Sequence, residues 1–199
     1  MDSAEWNRRY AERPLVWTAE PNRFVAEELA DLAPGRALEL AAGEGRNALW
    51  LAEKGWRVTA VDFSSVALDK ARQLAENRGV KLDCVEADVL AYQPESAAYD
   101  LVLLAYLQLP QDEMAGVLHR AVAALAPGGT FLLVAHDLRN LTEGVGGPQD
   151  PTVLYTPEII AAELTGLRIT TAKTVRRDVS TDTGQRRAVD TLVRAVRPA

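Results

Sequence analysis

The sequence predicts an α/β fold: a doubly wound, mostly parallel seven-stranded sheet that ends in a C-terminal antiparallel hairpin. Three observations predict it. Short apolar runs alternate with helix-like segments through the first two thirds of the chain, and Gly or Pro punctuates most junctions. Two strand-like runs separated only by turn residues close the chain. Parallel strands need long, usually helical crossovers, whereas antiparallel neighbours are joined by short turns.

Taken in order, Pro21-Asn22 opens "RFVAEELADLA", where Phe24, Val25, Leu29 and Leu32 share a helical face until Pro34-Gly35. "RALELA" (36–41) is a short buried strand, "GRNALWLAEKG" a helix closed by Gly55, and "WRVTAVD" (56–62) the second strand. Ser64 caps the next helix, with Ala67, Ala71, Leu74 and Arg78 on one side and Gly79 as its stop. "VKLDCVEAD" and "YDLVLLAYL" are strands three and four. The helix in "DEMAGVLHRAVAALAPGG" spaces Met114, Val117, Leu118, Ala121, Val122 and Leu125 at the helical period, with Pro127-Gly128-Gly129 expected to terminate it. "TFLLVAH" (130–136) is the fifth strand. After a Gly/Pro-rich loop, Thr156 caps and Pro157 starts a short helix. "RITTAKTVRR" and "RRAVDTLVRAV" then form the hairpin, turning within "DVSTDTGQ".

At 199 residues, 48% apolar and 25% charged, the chain is expected to be one soluble globular domain. A net charge of −6 argues against nucleic acid as the main partner. No apolar run approaches the ~20 residues of a membrane span, and the N-terminus shows no export pattern. Cys84 is alone, which excludes an internal disulfide, and it reads as a buried small residue. These features lead to an expected cytoplasmic protein with no membrane partner and no metal site. Oligomeric state has no signal here.

The chemistry concentrates where the first strand meets its helix, in "LELAAGEGRNALWLAEKG" (38–55). The small residues Ala41, Ala42, Gly43 and Gly45 let a ligand approach the backbone, and the free N–H groups of the next helix face it. A dinucleotide fingerprint needs a third glycine where this chain has Ala48. Glu39 before the turn and Glu44 within it would repel a pyrophosphate and suit an amino group or a sulfonium. Asp62, nineteen residues after Gly43, ends the second strand at the interval that lets an acid take ribose hydroxyls. Asp88 ends the third, where a carboxylate accepts from an adenine amino group or caps a helix.

With "LELAAGEGRNALWLAEKG", "VTAVDFSSVALDKAR", "VEADV", "YDLVLLAYL" and "LAPGGTFLLV", residues 36 to 135 resemble the class I S-adenosylmethionine-dependent methyltransferases. "GEGRNALWLAEKGWRVTAVDFS" is similar to the small tellurite-resistance-type and thiol methyltransferase-like members. The resemblance implies a Rossmann-like methyltransferase fold and the cofactor S-adenosyl-L-methionine, released as S-adenosyl-L-homocysteine. It implies that Glu39 and the backbone from Ala41 through Ala42 and Gly43 to Gly45 hold the methionine part. Asp62 would take the ribose, with Phe63 against the adenine, Asp88 and Val89 at the adenine edge, and Ala105 near the sulfonium. Where the family has glycine and often cysteine, this chain has Ala41 and Ala42; an alanine ending a strand is expected to keep φ below zero.

Two features point to the methyl acceptor, expected to be a thiol, a chalcogen oxyanion or another small metabolite. His136 lies at the carboxyl end of the fifth strand, either contacting the acceptor as a base or bonding the following loop. Trp6, Tyr10 and Trp17 precede the first expected helix, either as a lid over a cationic ligand or as anchors of an N-terminal arm. His119 reads as a surface or helix-packing residue. The hairpin arginines Arg176, Arg177, Arg186 and Arg187 either hold an anion or form a solvated tip. The chain therefore divides into an arm or lid (1–21), a cofactor core (22–136) and an acceptor side (137–199). A catalytically silent S-adenosylmethionine-binding partner and a nicotinamide-dependent oxidoreductase are the competing readings.

Overall fold

The computed structural model describes residues 2–181 and 184–199. One seven-stranded sheet runs β3-β2-β1-β4-β5-β7-β6. Its strands are β1 (Arg36–Leu40), β2 (Arg57–Asp62), β3 (Leu82–Glu86), β4 (Tyr99–Ala105), β5 (Leu125–His136), β6 (Arg168–Thr181) and β7 (Gly184–Val196). β1 pairs in parallel with β2 and β4, β2 with β3, and β4 with β5. β7 is antiparallel to both β5 and β6, so the expected terminal hairpin is present and its long edge joins the parallel sheet. The expected turn residues Asp182 and Thr183 lie outside the described residues.

Helices α1 (Ser3–Ala11), α2 (Arg23–Leu29), α3 (Arg46–Glu53), α4 (Ser65–Arg78), α5 (Gln111–Ala124), the short α6 (Asn140–Glu143) and α7 (Pro157–Glu163) accompany the strands. One apolar cluster packs α5 and α7 against one sheet face through Leu38, Val102, Met114, Leu118, Phe131 and Ile160. A second packs α2 and α3 against the other face through Phe24, Val25, Leu51, Ala60, Leu103 and Leu132. Covering both faces explains why β4 reads as a continuous apolar run instead of an alternating one. The expected caps are made: Ser64 Oγ accepts from Ala67 N–H, Thr156 Oγ1 accepts from Ile159 N–H, and Gly79 ends α4 at φ +67°.

Four expectations are corrected. The first regular helix is α1, not α2: Asp2 and Glu5 form a reciprocal capping box that starts it within the arm. Pro127-Gly128-Gly129 does not terminate α5, which ends at Ala124. The strand begins at Leu125, opposite Tyr99, bulges, and resumes register at Thr130 opposite Leu101. At Gly129 a Cβ would stand 2.8 Å from the Ala126 carbonyl oxygen and 2.9 Å from that of Tyr99, so glycine serves the bulge. β3 stops at Glu86, which leaves Asp88 beyond the strand. Cys84, expected buried, is only partly so, because β3 is an edge strand.

Candidate active site

The order β3-β2-β1-β4-β5 reverses direction between β1 and β4, the place beyond the strand ends where open α/β sheets form their ligand crevice. The turn from β1 to α3 forms its floor. Three of its residues have left-handed backbone: Ala41 at φ +58°, Gly43 at +56° and Gly45 at +75°. The expectation of a negative φ at Ala41 is overturned. Ala42 N–H donates to the Val61 carbonyl and Gly43 N–H to Asp62 Oδ2 (2.7 Å), and these bonds curl the chain at once after Leu40. An alanine held there is strained by about 1–2 kcal/mol. At Gly45 a Cβ would approach the Ala71 methyl to 3.0 Å, so α3 and α4 close against a bare backbone.

Glu39 is 1% exposed. Its Oε1 accepts from Asn47 Nδ2 at 2.8 Å, but Oε2 is buried without any hydrogen bond. Burial pushes its carboxyl up to about 7, against the Asn47 bond that favours ionisation. Asp62 is also buried, and burial raises its pKa. Its carboxylate accepts Gly43 N–H on one oxygen and Ser64 N–H (2.9 Å) on the other, tying the first turn to the second. Phe63 follows, half-buried. Asp88 is exposed, and its Oδ1 accepts from Leu90 N–H at 2.8 Å in a turn; it caps no helix, since β3 leads to β4 without one. Val89 is buried at the edge of the core, and Ala105 closes β4.

Glu44 does not face the crevice as an unneutralised acid. It is buried, lies 3.0 Å from Lys70 Nζ, and accepts N–H bonds from Val16 and Trp17 at 3.0 Å. Lys70 also donates to the carbonyls of Tyr10 and Arg13, so this pair straps the N-terminal arm to the turn. Asn7 on α1 accepts from the Ser64 hydroxyl at 2.6 Å. The three arm aromatics divide. Tyr10 is buried over the turn, its hydroxyl 2.8 Å from where a Cβ of Gly43 would stand. Trp6 stacks on Tyr10 at 5.4 Å, and the Arg9 guanidinium sits 4.9 Å from the Trp6 ring and 5.5 Å from the Trp17 ring. Trp17 is 43% exposed.

Across the crevice, His136 ends β5 with its side chain 10% exposed. Its Nδ1 lies 3.3 Å from Oδ1 of the fully buried Asp190, and its ring is tilted against Tyr106 at 4.8 Å. Asp190 Oδ2 accepts from the Tyr106 hydroxyl (2.9 Å) and from Arg177 Nε (2.7 Å), while Asn22 Nδ2 donates to the Tyr106 hydroxyl at 3.2 Å. Tyr106, the residue after Ala105, has φ +60°. The hairpin arginines do not act as one cluster: Arg176 meets Glu143, Arg187 lies near Asp178, and Arg177 turns inward. His119 is exposed beside Glu163 at 3.1 Å. Sequence reasoning missed Asn22, Lys70, Tyr106 and Asp190 as site residues. The signal for Asp190 was a lone acid inside the apolar run "AVDTLV".

A methyltransferase-domain family model matches residues 37–129. A demethylmenaquinone methyltransferase of Thermus thermophilus is 36% identical over 56% of this chain and 52% of its own length. A tRNA 5-carboxymethoxyuridine methyltransferase of Escherichia coli is 32% identical over 57% of this chain and 45% of its own. The chain thus spans about half the length of these curated relatives. Among solved structures, TehB from Haemophilus influenzae superposes with a TM-score of 0.77 over 98% of this chain and 66% of that one, at 16% identity, which is a likeness of fold. No helix among the described residues is long and apolar enough to cross a membrane. The sheet order and these matches together show that this chain carries a methyltransferase domain over residues 37–129.

Proposed function

We propose that this chain transfers a methyl group from S-adenosyl-L-methionine to a small-molecule acceptor held beside Tyr106 and His136. The observation that carries it is the orphaned Oε2 of buried Glu39, next to a turn whose own residues are alanine and glycine at 41–43 and 45. A buried carboxylate oxygen without a donor suits a cationic amino group, and two carboxylates flanking the turn disfavour a polyphosphate. The residues present therefore fit the cofactor. Glu39 and the 41–45 backbone would hold its methionine end, and Asp62 its ribose with the lone pairs left after Gly43 and Ser64. Phe63, Asp88 and Val89 would meet its adenine, with Ala105 beside its sulfur. When bound, the cofactor supplies an activated methyl on a sulfonium. What this chain does is align the acceptor and exclude water, which is worth about 7–11 kcal/mol when geometry is right. Tyr10, packed over Gly43 and strapped by Lys70 and Glu44, is placed to cover the cofactor, with Trp6 and Trp17 bracing the arm from outside.

A small acceptor is favoured over nucleic acid by the net charge of −6 and by the pairing of Arg176 and Arg177 with acids. Thiols, chalcogen oxyanions and phenols are the classes to screen, in a cytoplasmic enzyme whose one cysteine stays reduced. In this reading residues 1–21 are the lid, 22–136 the cofactor core and 137–199 the acceptor side of one domain. Calorimetry with S-adenosyl-L-homocysteine and with NAD is the first test, and release of S-adenosyl-L-homocysteine across those acceptors is the second. Binding of the nucleoside thioether alone, with turnover of one class, is expected. Preference for NAD would refute the reading, and cofactor binding without turnover of any class would make the chain a silent partner.

A further inference from the structure

We propose that Asp190 is a positioning residue that holds His136 in the tautomer with a free Nε2, so that the acceptor is a protic O–H or S–H compound whose proton His136 removes. This rests on the methyl-transfer reading above. His136 and Asp190 are direct register partners across antiparallel β5 and β7, so the sheet itself sets them face to face. Nδ1 and Oδ1 are both buried and 3.3 Å apart, within ion-pair range but outside hydrogen-bond geometry, and each is left without a hydrogen bond. Nε2 is not among the buried orphaned atoms and makes no hydrogen bond to the described residues, which leaves it as the ring's open nitrogen. The carboxylate's other oxygen already takes two donors, the Tyr106 hydroxyl and Arg177 Nε. These two donors orient the carboxylate and aim Oδ1 at the ring, where a protonated Nδ1 is the donor that would satisfy it. The charged and titratable groups around the ring are Asp190 from β7, Arg177 from β6 through Asp190, and Tyr106 after β4; Gly147 backs the ring, where a Cβ would stand 3.0 Å from it.

The step balances. As the acceptor oxygen or sulfur forms its bond to the methyl carbon, the S–CH3 bond breaks and its electron pair returns to sulfur, giving the neutral thioether. The acceptor proton passes to His136 Nε2. The resulting imidazolium lies against the Asp190 carboxylate until the proton leaves to solvent.

The test begins without an acceptor. The chain has two histidines, so nitrogen-15 histidine labelling yields two ring systems, assigned with His119→Gln. In the protein saturated with S-adenosyl-L-homocysteine, His136 is expected as the Nδ1–H tautomer. Asp190→Asn is isosteric, and the two donors on Oδ2 force its carbonyl to that side. Its amide NH2 then faces Nδ1, and the proton is expected to move to Nε2. Tyr106→Phe leaves the tautomer unchanged. An Nε2–H ring in the unmutated protein, or a tautomer that Asp190→Asn does not move, overturns the proposal. With an acceptor from the screen, Asp190→Asn is expected to lower kcat by about 10²–10⁴-fold while changing S-adenosyl-L-homocysteine affinity less than about threefold. Equal kcat also overturns it. Failure to bind S-adenosyl-L-homocysteine would instead sink the methyl-transfer reading, with the tautomer still measurable.

Discussion

Glu39→Gln offers the most direct trial of the crevice, because the same carboxylate should cost the free protein stability and favour the bound one. Burial raises Glu39 from an ordinary 4.5 to about 7. The folded state thus keeps the proton longer than the unfolded chain. Stability must fall as pH rises from about 4.5 to 7, and the full penalty is present above 7. At about 1.4 kcal/mol for each tenfold in proton affinity, that penalty is about 3 kcal/mol. Glutamine removes the charge and keeps the Asn47 bond, but its own amide NH2 replaces the orphaned Oε2 and gives back about 1–2 kcal/mol. The net gain at pH 8 is about 1–2 kcal/mol, or about 2–8 °C in Tm, shrinking to nothing near pH 5. Calorimetric binding of S-adenosyl-L-homocysteine at pH 8 should move the other way, weakening by about 10–100-fold with the loss of a charged partner for the amino group. A variant no more stable at pH 8 than at pH 5, with cofactor affinity intact, would refute both the burial argument and the ligand assigned to it.

Two further substitutions probe the turn and the arm. Ala41→Gly relieves about 1–2 kcal/mol of left-handed strain against about 0.5–1 kcal/mol of added chain entropy, so scanning calorimetry should show Tm up by about 1–4 °C; a lower Tm would mean that position 41 is not left-handed. Lys70→Met leaves Glu44 buried without its cation and frees the carbonyls of Tyr10 and Arg13. A loss of about 3 kcal/mol is expected, with amide exchange speeding first in α1; unchanged protection there would show that the strap does not hold the arm.

Much of the fold was legible because local signals and tertiary structure agree. Ser64, Gly79 and Thr156 occupy the cap positions their chemistry suits, and strand–helix alternation is a direct reading of period. The misreadings share a cause: contacts distant in sequence. Proline and two glycines look like a helix stop, yet Tyr99 on β4 recruits Leu125 into the sheet before them. Glu44 looks like a ligand-facing acid until Lys70, on a different helix, is seen beside it. Ala41 looks like a strand end, but bonds from the next two N–H groups to Val61 and Asp62 on β2 turn it left-handed.

The two halves of the crevice also differ in how the chain builds them. The proposed cofactor side is made of strand ends and the turns that follow them, so its residues sit in short, recognisable stretches. The proposed acceptor side depends on antiparallel register: Asp190 meets His136 only because β7 pairs with β5 as it does, and Arg177 reaches Asp190 from two positions along β6. A one-residue slip of β7 would turn Asp190 to the opposite sheet face and leave His136 without its partner. The methyltransferase-domain match stops at residue 129, short of His136, Arg177 and Asp190 alike. The match therefore covers the strands and turns proposed to hold the methyl donor. The half proposed to select the acceptor lies beyond that match and rests on the hairpin's own geometry, so the His136 tautomer bears more on the proposed substrate than any relative's name does.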